Sequence, residues 1–236
     1  MKSNIEELAD NLEKSSLLIL GGTGLFAKEL LPRLIYFIET KNIKTVIYIT
    51  TRSKEKAIEF IPEVKKSYVR FITVDFLVSN EINSDINPKY IIHMATTSAD
   101  ETFHQIAQLS KFLVLKNSSE AVAKLIEKNK VKRLLFVSSG VAYGDVENYE
   151  ENTKTCLDYL DSKNSLAVGK LYSEFFLNSV CDANNTEFKI ARCFSFISEY
   201  LPYDIHYAIG NFVRDAVNKN DLIIKSDGKD IRSYQD

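Results

Sequence analysis

Ser16-Leu-Leu-Ile-Leu20 runs directly into Gly21-Gly22-Thr23-Gly24-Leu25-Phe26-Ala27, after which apolar residues recur at 27, 30, 31, 34, 35 and 38. An apolar run without alternation suits a strand buried on both faces, as in a parallel sheet. The spacing that follows is that of a helix with one apolar stripe. Pro32 falls on the polar side of that helix, where it removes one backbone bond and bends the axis slightly. The glycines between strand and helix read as Gly22-x-Gly24-x-x-Ala27 or as Gly21-x-x-Gly24-x-x-Ala27. Either reading provides a tight turn with positive φ, a backbone that a pyrophosphate can approach, and a small residue where helix packs on strand. The helix N-terminus then offers free amides to phosphate. Gly21, Gly24, Leu25 and Phe26 are therefore candidate cofactor contacts.

The strand–helix alternation continues outward from this turn. Thr45 to Thr50, Val69 to Val74, Tyr90 to Met94, Arg133 to Ser138 and Phe188 to Phe194 read as further strands, and Leu222 to Lys225 as a seventh. Helices are expected over about Ser118 to Lys128 and Ser165 to Val180, with a short amphipathic leader helix over Ile5 to Lys14. Strands separated by helix-length segments imply an α/β fold, a Rossmann-type doubly wound parallel sheet with helices on both faces. In that class the strand order is 3-2-1-4-5-6-7, and a dinucleotide lies at the carboxyl ends of the strands. An acidic residue closing the second strand binds the ribose 2′-hydroxyl of NAD, whereas an arginine accommodates the 2′-phosphate of NADP. Thr50-Thr51-Arg52-Ser53 stands there. Arg52 tilts the reading toward NADP, the other reading being a solvated or adenine-stacking arginine.

Composition excludes several classes. With 236 residues, 45% hydrophobic and 26% charged, and a formal charge of -2, the chain has the make-up of a soluble globular protein and no basic stripe to draw a nucleic acid. Cys156, Cys181 and Cys193 are odd in number and widely spaced, which argues against a disulfide framework or zinc site. The three histidines form no H-E-x-x-H pattern. No apolar run reaches membrane-spanning length and the first fifteen residues lack a signal-peptide core. A cytoplasmic protein without metal, nucleic-acid or membrane partners is expected.

Further segments, in chain order, carry a resemblance. Val74-Asp75-Phe76 closes the third strand. Tyr90-Ile-Ile-His-Met-Ala-Thr96 is followed by Phe136-Val-Ser-Ser-Gly-Val-Ala-Tyr-Gly144, Leu166-Ala-Val-Gly-Lys170 with Glu174, Ile190-Ala-Arg-Cys-Phe194, Ile209-Gly-Asn-Phe-Val213 and Asp227-Gly-Lys-Asp-Ile-Arg-Ser-Tyr234. Together they resemble the extended short-chain dehydrogenase/reductase family, the NAD-dependent nucleotide-sugar epimerases and dehydratases, over about residues 16 to 236. The resemblance implies that Asp75 and Phe76 lie by the adenine, that Met94, Ala95 and Thr96 flank the cofactor, and that Cys193 sits near the nicotinamide. It also implies that Ser139 hydrogen-bonds a sugar hydroxyl or ketone, that Lys170 holds the ribose, and that Asn211 and Arg232 hold the diphosphate of the substrate. Residues 1–194 would form the NAD(P)-binding domain. Residues 195–236 would form part of a substrate lobe, apparently truncated, because the family's chain continues further. A homodimer through a four-helix bundle is implied as well.

Two departures shape the functional expectation. The family's acid/base is a Tyr in Y-x-x-x-K, its phenol brought into range by the lysine one turn away. Tyr159-Leu-Asp-Ser-Lys163 matches those letters, but the surroundings of Lys170 match the family's longer "YxxGKxxxE" except at the first position, where Leu166 stands. A leucine neither donates nor accepts a proton, so catalysis is impaired or another phenol, Tyr143 or Tyr159, substitutes. Secondly, the carboxylate pair that dehydratases carry after the fifth strand is replaced by Gly140 and Val141. The expected chemistry is thus hydride transfer at a sugar carbon, 4-epimerisation or keto reduction, with the cofactor carrying the hydride. A non-catalytic NAD(P) or nucleotide-sugar binding protein and an NADPH-sensing protein of the same fold stay open.

Overall fold

A computed structural model describes residues 3–83, 85–97, 101, 107–201, 208–224, 227 and 234–235. Its centre is a six-stranded parallel sheet in the order β3-β2-β1-β4-β5-β6. The strands are β1 (Ser15–Leu20), β2 (Thr45–Thr51), β3 (Val69–Thr73), β4 (Tyr90–His93), β5 (Arg133–Ser139) and β6 (Glu187–Cys193). Helices α1 (Asn4–Leu12), α2 (Leu25–Thr40), α3 (Lys54–Phe60), α4 (Gln108–Lys128) and α5 (Ser165–Ala183) connect or flank them. A two-residue strand β7 (Ser195–Phe196), helix α6 (Ala208–Val217) and a short β8 (Tyr234–Gln235) paired with β7 follow.

The apolar run of β1 divides between two core layers, because successive strand residues point to opposite faces. Leu18 and Leu20 join Leu115, Val122 and Ile126 of α4, Leu134 and Phe136 of β5, and Leu177 of α5. Leu17 and Ile19 join Ala27, Leu31, Ile35 and Ile38 of α2 with Ile47 and Ile49 of β2. Leu18, Ile19 and Leu20 are wholly buried, each contributing about 1.5–3 kcal/mol.

Three sequence expectations need correction. Leu222–Ile224 form no strand and are exposed, so among the described residues the main sheet has six strands, not seven. An apolar triplet shows β propensity, but pairing needs a neighbour with free backbone groups, and the short extra pair is made by Ser195–Phe196 with Tyr234–Gln235 instead. The helix expected from Ser118 begins ten residues earlier, at Gln108. Lys111, Ser118 and Ser119 on its buried side had blurred the apolar stripe. Helices α3 and α6 were not foreseen. The leader helix ends at Leu12, with a Ser3/Glu6 capping box at its start.

Candidate cofactor and active site

Parallel register brings the sequence-selected residues to one edge of the sheet. Leu20 pairs with Thr50 and His93, Thr51 with Thr73, and Ser139 with Cys193. The glycine turn, Arg52, Asp75 with Phe76, Met94 to Thr96, Ser139 and Cys193 therefore all stand at the carboxyl ends of their strands. The strand order reverses between β1 and β4, the switch point at which doubly wound sheets bind ligands.

The turn after β1 has the geometry of a phosphate cradle. Gly21 has φ +90°, and a Cβ there would lie 2.9 Å from the Ala95 amide nitrogen. At buried Gly22 a Cβ would fall 2.0 Å from Ile49 Cγ2. Gly24 caps α2 with extended backbone and no side-chain hydrogen bond, and a Cβ there would meet only the Gly21 carbonyl oxygen, at 3.6 Å. The amides of Leu25 and Phe26 thus emerge at a helix N-terminus where no intrahelical acceptor exists. A small residue at each glycine, an open approach and oriented amides suit a pyrophosphate. Beside the turn, Met94 and Ala95 are buried and Thr96 is exposed. Asp75 Oδ1 accepts from the Leu77 amide at 2.9 Å, and Phe76 is buried.

Lys170 and Lys163 have opposite environments. Lys163 is exposed on a single turn of 3₁₀ helix, and Tyr159 is 73% exposed. Lys170 is 4% exposed, its Nζ donates to the Val137 carbonyl at 2.7 Å, and it lies 4.9 Å from the Phe136 ring centroid. Burial pulls its ammonium down from 10.5 to about 8, against the opposing pull of Cys193 and Glu174. Leu166, one turn earlier on α5, is half-buried against the core layer that contains Leu115 and Phe136. Tyr143 is buried beneath the Arg192 guanidinium, 4.3 Å from its ring centroid, and is stacked with Phe194. His93, wholly buried at the end of β4, is held down to about 3 by burial, so it is a neutral ring packed edge-on against Phe136.

The Lys170 environment has a measurable consequence. Below about pH 8 the lysine is charged in folded and unfolded chains alike, so its burial penalty is present in full. Between about 8 and 10.5 the unfolded chain holds the extra proton, so stability contributed by this site rises with pH. Lys170→Met should therefore raise Tm at neutral pH by roughly 2–4 °C, about 1 kcal/mol in a domain of this size. The gain should shrink as pH rises toward 10.5. Thermal melts across pH check this, and a variant less stable at neutral pH with a flat profile would contradict it.

Behind Lys170 lies an ion pair whose two halves appear in the sequence only as motif letters. Arg192 Nε and Nη2 donate to Glu174 Oε1 and Oε2 at 3.0 and 2.7 Å, and Ser138 Oγ donates to Glu174 Oε1. This joins α5, β5 and β6 under the Lys170 amine. A second pair had no sequence signal at all: Arg52 Nη1 is bonded to Glu101 Oε1, which comes from the connection after β4.

The remaining candidates are placed unevenly. Ser139 is half-buried at the end of β5, and its Oγ accepts from the Val141 amide at 3.3 Å. A Cβ at Gly140 would fall 2.6 Å from the ring of Phe194, which is 53% exposed and would have to swing aside for a side chain there. Asn211 lies on α6, its Oδ1 accepting from Arg214 Nη1 at 3.4 Å. Arg232 lies outside the described residues. Among these there is no cluster of metal-ligating side chains and no helix long and apolar enough to cross a membrane.

Residues 17–236 match the model of the NAD dependent epimerase/dehydratase family. The chain belongs to that family. It is 23% identical to the UDP-glucose 4-epimerase of Mycoplasma genitalium over 180 residues, which is 75% of this chain and 50% of that protein. The match thus spans half the length of that relative. Among solved structures, a UDP-N-acetylglucosamine 4-epimerase from Methanobrevibacter ruminantium, in complex with UDP-N-acetylmuramic acid, superposes with TM-score 0.73 at 18% identity, covering 94% of this chain and 69% of that one. The UDP-glucose 4-epimerase of Thermotoga maritima with UDP-glucose gives 0.69 at 17%, covering 93% and 68%. The UDP-glucuronic acid 4-epimerase of Bacillus cereus with UDP-glucuronic acid and NAD gives 0.62 at 15%, covering 93% and 68%. At these identities the likeness is one of fold.

Proposed function

We propose that this family member binds NAD across the Gly21–Phe26 turn and acts on a nucleotide-diphosphate sugar by hydride transfer at a sugar carbon, as in 4-epimerisation or keto reduction. Proton transfer is weakened, because Leu166 holds the place of the family's phenol. The observation that carries the reading is Lys170, a buried amine one helical turn from Leu166 and fixed at the carboxyl end of β5. NAD, when bound, accepts and returns the hydride.

In this reading the amides of Leu25 and Phe26 hold the pyrophosphate and Asp75 and Phe76 border the adenosine. Met94, Ala95, Thr96 and Cys193 line the nicotinamide side. Lys170 binds the ribose hydroxyls, Ser139 hydrogen-bonds the reacting sugar oxygen, and Asn211 with Arg232 hold the diphosphate. Residues 1–194 form the cofactor domain, and 195–236 contribute to the sugar site. Gly140 and Val141 after β5 support epimerisation over water elimination, since neither supplies a carboxylate for acid/base work. UDP is the favoured nucleotide, because the relatives named above bind or act on UDP-sugars. Exposed Leu109 on α4 and Phe175 on α5 support a homodimer through these two helices.

Leu166 favours a second reading, a protein that keeps cofactor and sugar nucleotide without turning them over. Calorimetry with NAD, then thermal shift with UDP-, GDP-, dTDP- and CDP-sugars, tests both. NAD should bind, and a UDP-sugar at a hundred times its Kd should add about 2.7 kcal/mol. Absence of NAD and NADP binding removes the cofactor site. Cofactor binding with no stabilisation by any sugar nucleotide would point to a cofactor-sensing protein instead.

A further inference from the structure

We propose that Glu101 sets the cofactor preference of this chain, engaging the Arg52 guanidinium and thereby turning the ribose edge of the site away from a 2′-phosphate and toward NAD. The inference rests on the cofactor site proposed above. Arg52 follows the last residue of β2, the position from which a doubly wound sheet meets the adenosine ribose. No acidic residue stands there. An arginine free at that place would recruit a 2′-phosphate through charge-assisted, bidentate contacts.

The structure gives the guanidinium another partner. Arg52 Nη1 and Glu101 Oε1 form a hydrogen-bonded ion pair. Asp75, brought alongside by the pairing of Thr51 with Thr73, adds a second negative charge acting on the same arginine. One positive and two negative side chains thus meet at the ribose edge among the described residues. A 2′-phosphate, itself carrying about −1.5 to −2, would have to displace Glu101 and remain beside two carboxylates. A 2′-hydroxyl faces no such repulsion and finds carboxylate acceptors of the kind an acidic residue at the end of β2 supplies. Thus the carboxylate missing from β2 is delivered by the connection after β4.

The pair itself adds little to stability. The Arg52 side chain is 56% exposed and that of Glu101 26%, and exposed pairs contribute about 0–1 kcal/mol. Its effect falls on the ligand, whose own charge decides between the two dinucleotides.

The test is the ratio of Kd for NADP to Kd for NAD, measured by calorimetric titration on this chain and on Glu101→Gln, Glu101→Ala and the double variant Arg52→Ala/Glu101→Gln. The parent should favour NAD. Each single variant should lower the ratio at least tenfold, about 1.4 kcal/mol, and the double variant should lose that gain because the freed guanidinium is gone. A ratio within threefold of the parent in both single variants overturns the proposal. So does a drop that survives in the double variant, since Arg52 would then play no part. If the parent binds neither dinucleotide, the cofactor site falls and the preference with it. Binding with an unmoved ratio sinks only the role of Glu101. Because the ratio is compared within each variant, a general loss of affinity from altered folding cancels. A variant that binds neither is set aside for the other single substitution.

Discussion

Leu166→Tyr should raise the rate at which a nucleotide sugar reduces bound nicotinamide by about 10²–10⁴-fold, the usual contribution of positioned acid/base catalysis. The substitution puts a phenol one turn from Lys170, whose buried ammonium donates to the Val137 carbonyl. A positive neighbour favours the phenolate, so the introduced phenol should titrate well below the ordinary value of about 10. The added ring and hydroxyl must be accommodated next to the core layer that Leu166 now touches, at a cost of about 1–3 kcal/mol. Two measurements separate chemistry from packing: nicotinamide absorbance under single turnover, and spectrophotometric titration of the phenol in parent and variant. A phenol titrating near its ordinary value, with no gain in rate, would place Leu166 away from the reacting centre.

Glu174→Ala should cost about 3–5 kcal/mol, the penalty for stranding one partner of a buried ion pair. Glu174 is 6% exposed and takes both donors of the Arg192 fork together with the Ser138 hydroxyl. Removing it leaves the guanidinium half-buried with only the Tyr143 face among these contacts, and loosens the junction of α5, β5 and β6 beneath Lys170. For a chain of this length the loss corresponds to a drop in Tm of roughly 6–20 °C. Glu174→Gln, which keeps one acceptor, should lose less. Denaturant unfolding gives the comparison, and an alanine variant within 1 kcal/mol of the parent would mean that the pair is solvated and energetically idle.

The fold was legible because its signals are local or periodic. The Leu17–Leu20 run was identifiable as doubly buried because both faces of a central parallel strand need apolar residues, and the glycines after it because positive φ and close approach leave few alternatives. Five further strands were legible from the repeating alternation of short β-rich runs with helix-length segments, although β3 and β6 are not buried on both faces. Leu222–Ile224 shows the limit: its composition is that of a strand, but a strand exists only where a neighbour offers free backbone groups. Lys111, Ser118 and Ser119 show the converse, polar residues inside a helix contact that interrupt the stripe by which the sequence locates a helix.

By itself, then, the sequence determined the strand–helix alternation with six of its strands, the glycine turn after β1, the lack of an acidic residue at the end of β2 and the leucine at position 166. These depend on residue type and on spacing within one or two elements. The motif around Lys170 singled that lysine out, but only the tertiary structure showed that packing against β5 buries it while Lys163, seven residues earlier, stays exposed. The tertiary structure alone paired Glu174 with Arg192 across 18 residues and Arg52 with Glu101 across 49. Long-range partners carry no periodic signature, because the geometry that joins them is set by the register of strands far apart in the chain.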